Sequence, residues 1–446
     1  MGLLPLTYRR PVYVNNLATD SSSNVSDSGD EKQSSTSESL RSGKSGTLPG
    51  IPESLTFDKI ISGGTCPPCT VRDFMNYLIY IEHAAENLQF FLWHRDYQKR
   101  FLEAKTSDVS LAPEWTQAME TEVLQRMFKE KSQRMLKKPG QEIFKGTDFE
   151  KKGLSAAVAD DHNPFSTPPR TPPDQESVYT GSNGASNADT YRSQASDAFT
   201  AVGAKQPFTI QPFREEMDRV IATYIVEGAP RQLNLSAKER DATLHALAYT
   251  THPSAWRLTI KGIENSLRQQ AHPNFIRWSI CNGNPARVFF ARGLGVSLII
   301  IAFIAAILIT LSHASRGWRA LAAIGWVLGI STLVAAYKGM CVVLHGMHHR
   351  HIRPWELFVD EEQEEERRAT SFESFGSANS YEEEPWIVKY EKRNVVRKVF
   401  DREVWIEEPA LRTIQDTIFL QAMLCALLLG GIFTAIFVAI PHRAYF

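Results

Sequence analysis

The sequence has 446 residues, with 49 Lys and Arg against 50 Asp and Glu, so its formal net charge is −1. Nucleic-acid-binding proteins normally carry a strongly basic domain or stripe, and this near-neutral balance argues against that class. The 5 cysteines are too few for a disulfide scaffold in a chain of this length and suit a reducing compartment.

Residues 1–50 are predicted to be disordered. Serine, aspartate, glycine and lysine dominate 15–50, and such a composition buries too little apolar surface to offset the loss of chain entropy. The first residues also contain no apolar run of signal-peptide length, so we expect an uncleaved N-terminal region.

A first helical block is predicted over 51–136. Thr70 and Asp73 have the spacing of a capping box, in which each side chain bonds a backbone N–H group at the start of a helix. A further, mostly polar helix is predicted over 114–135. The apolar residues that follow the cap recur at helical intervals; they are Phe74, Leu78, Ile81, Ala85, Leu88 and Leu92.

Residues 137–207 are predicted to be a disordered Pro/Ser/Gly-rich insertion. Its segment 164–173 favours polyproline II, which leaves open a recognition or modification site and a plain solvated linker. Helical spacing resumes in a second block, 208–285, where Ser236 is the predicted N-cap of a helix and Glu239 its capping partner. Because no strand alternation competes, the soluble region is predicted to be an all-α bundle split by this insertion.

Three apolar stretches, 293–311, 320–344 and 418–440, are long enough to cross a bilayer, since about 20 apolar residues match the hydrocarbon thickness. They contain no acidic residue, and Lys338 lies near the end of the second, where its side chain can reach the headgroups. Transporters usually need ionisable groups at mid-depth. The stretches are therefore predicted to be anchors or dimerisation surfaces, with Gly430-Gly431 as a close-packing notch and a homo-oligomer as an open alternative.

Basic residues near the span ends predict the orientation, because positive charge favours the cytosolic side. The region before the first span and the 345–417 segment carry more of these residues than the opposite side does. We therefore expect both regions to be cytosolic. The residues on the predicted cytosolic side are Arg277, Arg287, Arg292, Arg350, Arg353, Arg393, Arg397, Lys398, Arg402 and Arg412, against Arg316, Arg319 and Arg443 on the other.

The cytosolic loop 345–417 contains an acidic run, 360–366, which is predicted to be solvated. Apolar residues on one side of 395–404 predict a basic amphipathic helix on the cytosolic leaflet, with packing against the front region as the alternative. The histidines of this loop predict a cationic collar facing lipid headgroups, favoured over a metal site; they are His345, His348, His349 and His351.

Cys66 and Cys69 have the CxxC spacing of zinc and redox sites, yet no second ligand pair follows and no strand precedes them. We favour two loop cysteines near a helix start. The sequence shows no nucleophile triad and no phosphate loop. We therefore expect no catalytic residues, no metal and no cofactor, and not an enzyme with chemistry of its own.

Two motifs in chain order resemble the regulator of G-protein signalling (RGS) family. AENLQFFL at 85–92, followed by DYQK, resembles the EENLEFW…DYKK signature. YIVEGAP…LNLS at 224–236, followed by Arg240, is similar to IYxxFxxxGAPxxVNLxxxxR. The segments at 253–256 and 273–277 are similar to the closing helices of that domain. With three spans and the segment 386–391, the architecture resembles fungal bud-site-selection proteins.

This resemblance implies an RGS-like helical bundle and a landmark role in cell polarity at the plasma membrane of the cell cortex. The implied partners are the lipid bilayer, another polarity membrane protein and a G-protein α subunit. Family members accelerate GTP hydrolysis by binding the switch loops of Gα in their transition-state conformation. The positions that match the family's Gα contacts are Glu86, Asn87 and Asn234; these asparagines also suit local helix caps or turns.

Three positions depart from the family pattern. Ser236 stands where the family usually has an acid, and Gln270 and Asn274 stand where it offers an Asp and an Arg to the GTPase. Truncation of an interfacial charge pair costs on the order of 2–5 kcal/mol. The departures therefore favour docking over GTPase activation, which remains the alternative.

Overall fold

A computed structural model describes Val14 and residues 50–137, 184–357 and 385–441. The described part is mostly helical, in agreement with the predicted all-α class. The acidic run 360–366, the proline-rich segment 164–173 and nearly all of the predicted disordered segment 1–50 lie outside these residues.

The helices before the membrane region differ widely in length, from 4 residues in Thr106–Val109 to 21 in Gln117–Lys137. Wider π-type turns extend three of them, at Leu78–Glu82, Ile221–Ile225 and Leu267–Ala271. In chain order they are α1 (Phe57–Ile61), α2 (Val71–Tyr77), α3 (Ala85–Glu103), α4 (Thr106–Val109), α5 (Gln117–Lys137), α6 (Gly184–Ala201), α7 (Arg214–Val220), α8 (Ala237–Tyr249), α9 (Arg257–Ser266) and α10 (His272–Ile280).

The remaining elements comprise long helices and a small two-stranded antiparallel sheet. The strands pair with His349 opposite Trp405 and His351 opposite Glu403. In chain order these elements are α11 (Pro285–Leu311), α12 (Ala322–Tyr337), α13 (Val342–Gly346), β1 (His349–His351), α14 (Pro354–Leu357), α15 (Pro385–Glu391), α16 (Val395–Val399), β2 (Glu403–Trp405) and α17 (Pro409–Ala439).

The chain divides into two compact units. The first combines Met1–Leu92 with Lys261–Phe446, and the second is Trp93–Ile260. The first unit therefore contains both ends of the predicted RGS-like region together with the membrane helices.

The core of the second unit is aromatic. Trp93 stacks on Tyr97 with ring centroids 5.3 Å apart, and its edge meets the fully buried Trp256 at 5.6 Å. The Arg100 guanidinium donates two hydrogen bonds, of 2.7 and 2.6 Å, to the Glu216 carboxylate. This bidentate pair joins α3 to α7 beside the buried rings, so it fixes geometry as well as charge.

Part of the predicted disordered insertion is helical. α6 lies within 137–207 and buries Ala195 and Phe199 at helical spacing. The Arg214 guanidinium lies 5.3 Å from the centre of the Phe199 ring. The prediction of disorder was wrong for this segment because composition averages over the insertion and conceals one short apolar face.

The first unit has a second aromatic core between α1, α2 and α10. Phe74 lies 5.0 Å from Phe275, and Phe57 meets the His272 ring edge-on at 6.0 Å. Burial lowers the pKa of His272 to about 4. Its neutral ring makes a 2.8 Å hydrogen bond with the Leu55 carbonyl oxygen, which ties the turn before α1 to α10.

Three helices are long and apolar enough to cross a membrane: Pro285–Leu311, Arg316–Tyr337 and Pro409–Ala439. This confirms the predicted number of spans. The second ends at Tyr337 rather than at Leu344. Gly339 adopts φ +79°, and its N–H group and that of Met340 donate to carbonyls of the last helical turn, which closes the helix.

Small residues allow the three membrane helices to approach closely around Trp326, which is fully buried. A Cβ added to Gly329 would lie 2.7 Å from Ile299 and 2.9 Å from the Gly295 carbonyl oxygen. The two glycines of the predicted notch, Gly430 and Gly431, differ in how closely a neighbouring helix approaches them. A Cβ on Gly430 would meet Val327 at 3.0 Å, whereas one on Gly431 would meet nothing within 4 Å.

Hydrogen bonds join the front residues of the first unit to the start of α17. Glu408 accepts from the Cys66 N–H group at 2.8 Å, and its other carboxylate oxygen accepts from the Ala410 N–H group at 3.3 Å. The Pro67 carbonyl oxygen accepts from the N–H groups of Glu407 and Glu408, both at 3.1 Å. One loop thus holds the N-terminus of the third span.

The predicted amphipathic helix 395–404 is shorter than expected. α16 ends at Val399, and the following residues enter β2, because β1 offers them a backbone partner. Val395, Val396 and Phe400 are exposed, at 65%, 62% and 68%. Part of the predicted apolar face is therefore exposed, whereas Val399 is buried at 6%; contact with the leaflet stays a prediction.

Arg319 is fully buried at the end of the membrane helices opposite α10 in the chain's first unit. Its Nη1 donates to the carbonyl oxygens of Phe437 at 3.0 Å and Ile440 at 2.7 Å, and Nη2 donates to that of Thr310 at 3.5 Å. The guanidinium thus satisfies the last carbonyls of α17 and α11, where helices leave acceptors unpaired.

We predict that Arg319→Gln lowers the free energy of unfolding of the detergent-solubilised chain by about 2 kcal/mol or more, since charged hydrogen bonds contribute about 1.5–3 kcal/mol each. Thermal unfolding followed by circular dichroism measures the effect. Arg316→Gln is the matched control, because Arg316 is exposed in the same turn. Equal effects of the two substitutions would contradict the capping role.

Candidate functional site

Glu86 and Asn87 lie in the first turn of α3, and both side chains are half-buried. The preceding loop is set by His83, whose φ of 52° is left-handed and whose Nδ1 lies 3.0 Å from the Ile79 carbonyl oxygen. The Asn87 N–H group donates to the Ala84 carbonyl oxygen at 3.3 Å. The two residues therefore share one helix start in the first unit.

Asn234 is exposed in the second unit, just before α8. The N-cap of α8 is Ser236, whose hydroxyl accepts from the Glu239 N–H group at 3.3 Å and donates to its carboxylate at 2.8 Å. This confirms the predicted capping box and gives Ser236 a structural role. Asn234 is not the cap. That Glu86, Asn87 and Asn234 contact a Gα subunit stays a prediction.

Asn274 is buried and forms its hydrogen bonds within the chain, so its side chain is not presented to a Gα subunit. Its side chain is 2% exposed, and its amide pairs with the backbone of Val14: Oδ1 accepts from the Val14 N–H group and Nδ2 donates to the Val14 carbonyl oxygen, both at 3.0 Å. The same Nδ2 donates to Glu82 Oε1 at 3.1 Å. The Asn274 side chain thus bonds both the N–H group and the carbonyl oxygen of Val14, as a neighbouring β-strand would.

Gln270, which is half-exposed, lies close enough to Glu82 to favour its ionised form. Burial raises the pKa of the Glu82 carboxyl, and Asn274 and Gln270 oppose that rise. The two positions that the resemblance matches to charged residues therefore carry amides near the Glu82 carboxyl. The four-residue spacing of Gln270 and Asn274 predicts that they lie near each other on a helix. Nothing in the sequence pattern identifies Glu82 as their neighbour.

The CxxC loop is structural. Cys69 is fully buried, and burial, followed by the charge of Asp73, raises the pKa of its thiol well above the ordinary range. A thiol in that state is a poor nucleophile and a poor metal ligand. Cys66 is exposed, and its backbone binds Glu408. These contacts support the interpretation as loop cysteines.

The histidines after the second span do not form one cationic collar. His345 and His351 are buried, at 6% and 1% exposure. Burial lowers the pKa of both, and the charge of Arg287 lowers that of His351 further. Imidazoles that stay neutral do not attract anionic headgroups, so the collar prediction was wrong for these two residues.

Comparison with known proteins identifies no relative: no family, no curated protein and no solved structure matches the chain. The RGS resemblance consequently rests on the motif residues at 85–99 and 224–240. The hydrogen bonds around Glu82 are seen in the structure and do not depend on that resemblance.

We predict that Glu82→Gln raises the melting temperature at neutral pH. A carboxyl whose pKa is raised by folding binds its proton more tightly in the native state, so stability is lost as the pH rises from the unfolded pKa through the folded pKa. The substitution removes this loss of stability. The gain in melting temperature over the unsubstituted chain should become smaller toward acidic pH. Melting curves across that range provide the measurement.

Glu103→Gln is the control, because Glu103 is an exposed glutamate at the end of α3. A pH-independent gain in Glu82→Gln, or an equal gain in both variants, would contradict the buried-charge explanation.

Proposed function

We propose that the chain is a membrane-anchored docking protein with an RGS-like helical region. In this proposal it acts as a landmark in fungal cell polarity and bud-site selection, and another membrane protein at the cell cortex is its partner. It brings no chemistry of its own. The observation that carries the proposal is the buried Asn274, whose amide bonds Glu82 and the Val14 backbone; Gln270 lies near the same carboxyl.

The anchoring part of the proposal draws on the packing of the first unit. The CxxC loop and α10 are bonded to the start of α17 through Glu408 and through Gln415, whose Nε2 donates to the Ile280 carbonyl oxygen at 3.1 Å. Arg353 stacks over the Trp278 ring at 3.6 Å. A helical region held this firmly to a membrane helix suits a fixed docking platform better than a tethered, diffusing domain.

GTPase activation of a Gα subunit is the second candidate. The specific observation in its favour is that the three positions matching the family's contact residues are accessible: Glu86 and Asn87 are half-buried and Asn234 is exposed. An asparagine side chain offers both a donor and an acceptor to a switch loop. This candidate requires no use of Gln270 or Asn274.

We predict that the full chain in lipid nanodiscs leaves single-turnover GTP hydrolysis by host Gα unchanged and shows no preference for the aluminium-fluoride state. The reason is the loss of the two charged family contacts. Acceleration by the full chain would overturn the docking proposal. In that case Asn87→Ala should reduce the acceleration about tenfold or more, equivalent to about 1.4 kcal/mol, while the exposed Asn265→Ala should retain it.

The landmark role itself is tested in the host cell. Deletion of the gene should alter the pattern of successive bud sites, and the tagged chain should concentrate at those sites. Normal bud patterning together with a uniform distribution of the chain would contradict the role, whatever the GTPase result.

We further propose that the N-terminal region and 345–417 face the cytosol from the plasma membrane. The distribution of positive charge favours this orientation. Arg319 lies on the opposite side, but its guanidinium is bonded to carbonyl oxygens at a helix end and therefore does not argue against it. The expected result is that the chain from membranes keeps its electrophoretic mobility after endoglycosidase treatment. The exposed Asn234-Leu235-Ser236 sequon should carry no sugar.

A C-terminal extension that carries a sequon is the control for this orientation, and it should be glycosylated. Sugar on Asn234 would reverse the proposed orientation.

A further inference from the structure

Three potential metal ligands converge at the boundary between the second and third membrane helices. His345 is in α13, His348 is in the turn that follows it, and Asp416 is near the start of α17. One ligand atom from each lies within 4.8 Å of the other two. The group joins the segment after the second span to the helix that forms the third, residues that are distant in the sequence.

The separation of the closest pair fits a shared ion better than a direct bond. Nε2 of His345 lies 3.5 Å from Oδ1 of Asp416, which is longer than an ordinary N–H···O hydrogen bond. Two ligands of a tetrahedral zinc ion, each bonded at about 2.1 Å, lie about 3.4 Å apart. The third ligand atom lies within 4.8 Å of the other two, so it must move somewhat closer when an ion binds.

Both imidazoles keep unused polar atoms inside the protein. Among the described residues, Nδ1 of His345 and Nδ1 of His348 are buried and make no hydrogen bond. The whole His345 side chain is 6% exposed. Buried polar groups are nearly always paired. His345 faces Asp416 with Nε2, so the unpaired Nδ1 of His348 is the orphaned nitrogen that a shared ion can satisfy.

The rings are held in place by their packing. His345 lies 4.8 Å from the Phe419 ring, and His348 lies 5.9 Å from the Trp405 ring. The ligand positions are thus set by neighbouring aromatic groups, as in sites that bind metal without large rearrangement.

We propose that His345, His348 and Asp416 form a structural binding site for a divalent transition metal of the zinc class. Two imidazoles and one carboxylate suit zinc, cobalt and nickel, whereas calcium and magnesium prefer all-oxygen sites. A water molecule completes the coordination. The ion would clamp the segment after the second span to the third span, and this role is independent of any Gα or docking partner.

The test uses the full chain in detergent, purified with an affinity handle that contains no histidine. The chain is incubated with Zn²⁺ or Co²⁺ alone and desalted. Retained metal is measured by mass spectrometry, cobalt coordination by visible absorption, and stability by the melting temperature. We expect close to one equivalent of zinc per chain, a ligand-field cobalt spectrum and a higher melting temperature with zinc.

Asp416→Asn and His348→Asn should each lose the retained metal and the zinc-dependent rise in melting temperature. His349→Asn should keep both, because His349 is the neighbouring histidine that is outside the cluster. Should Asp416→Asn unfold, as judged by helical circular dichroism, the half-exposed His348→Asn decides alone. Absence of retained metal, retention in His348→Asn, or loss in His349→Asn would overturn the proposal.

Discussion

The bond between Glu408 and the loop at Cys66 is the constraint on which the first unit depends. Glu408 is 5% exposed, and its carboxylate both accepts from the Cys66 backbone and caps the third membrane helix at Ala410. A helix N-terminus favours negative charge, so the same group satisfies the helix and fixes the loop. α1, α2 and α10 are thereby parts of the same folded unit as the membrane helices.

This union bears on the choice between the two candidate functions. A GTPase activator needs a surface that closes on the switch loops, and family members use charged side chains for part of it. Here the amides at those positions hold Glu82 and the backbone of Val14. The proposed contact residues Glu86 and Asn87 remain at the start of α3. The bonds of Asn274 to Glu82 and Val14 are the reason why we propose docking rather than GTPase activation.

The sequence predicted those features that depend on local pattern or composition. The three spans follow from apolar length, and the capping boxes at Thr70 and Ser236 follow from a three-residue spacing. The end of the second span at Tyr337 was missed, because hydropathy does not register that Gly339 takes a left-handed conformation.

Features that depend on pairing between distant residues were not predictable from the sequence. Asp416 lies far along the chain from His345, so the histidine spacing alone could not distinguish a lipid collar from a three-ligand cluster. The same holds for Glu82, whose partner Asn274 is separated from it by 192 positions. Local pattern identified the groups with chemistry, but only the fold shows which of them meet.

The capping of α17 by Arg319 has a consequence for the order in which the membrane region assembles. The carbonyl oxygens belong to Phe437 in the third membrane helix and to Ile440 directly after it, whereas Arg319 lies at the start of the second. During synthesis the second helix is therefore complete while its arginine still lacks two of its acceptors. A cation in that state favours an interfacial position, and it becomes buried only when the third helix arrives. Insertion of the third helix thus fixes the second helix in the membrane, and the three helices reach their final packing together.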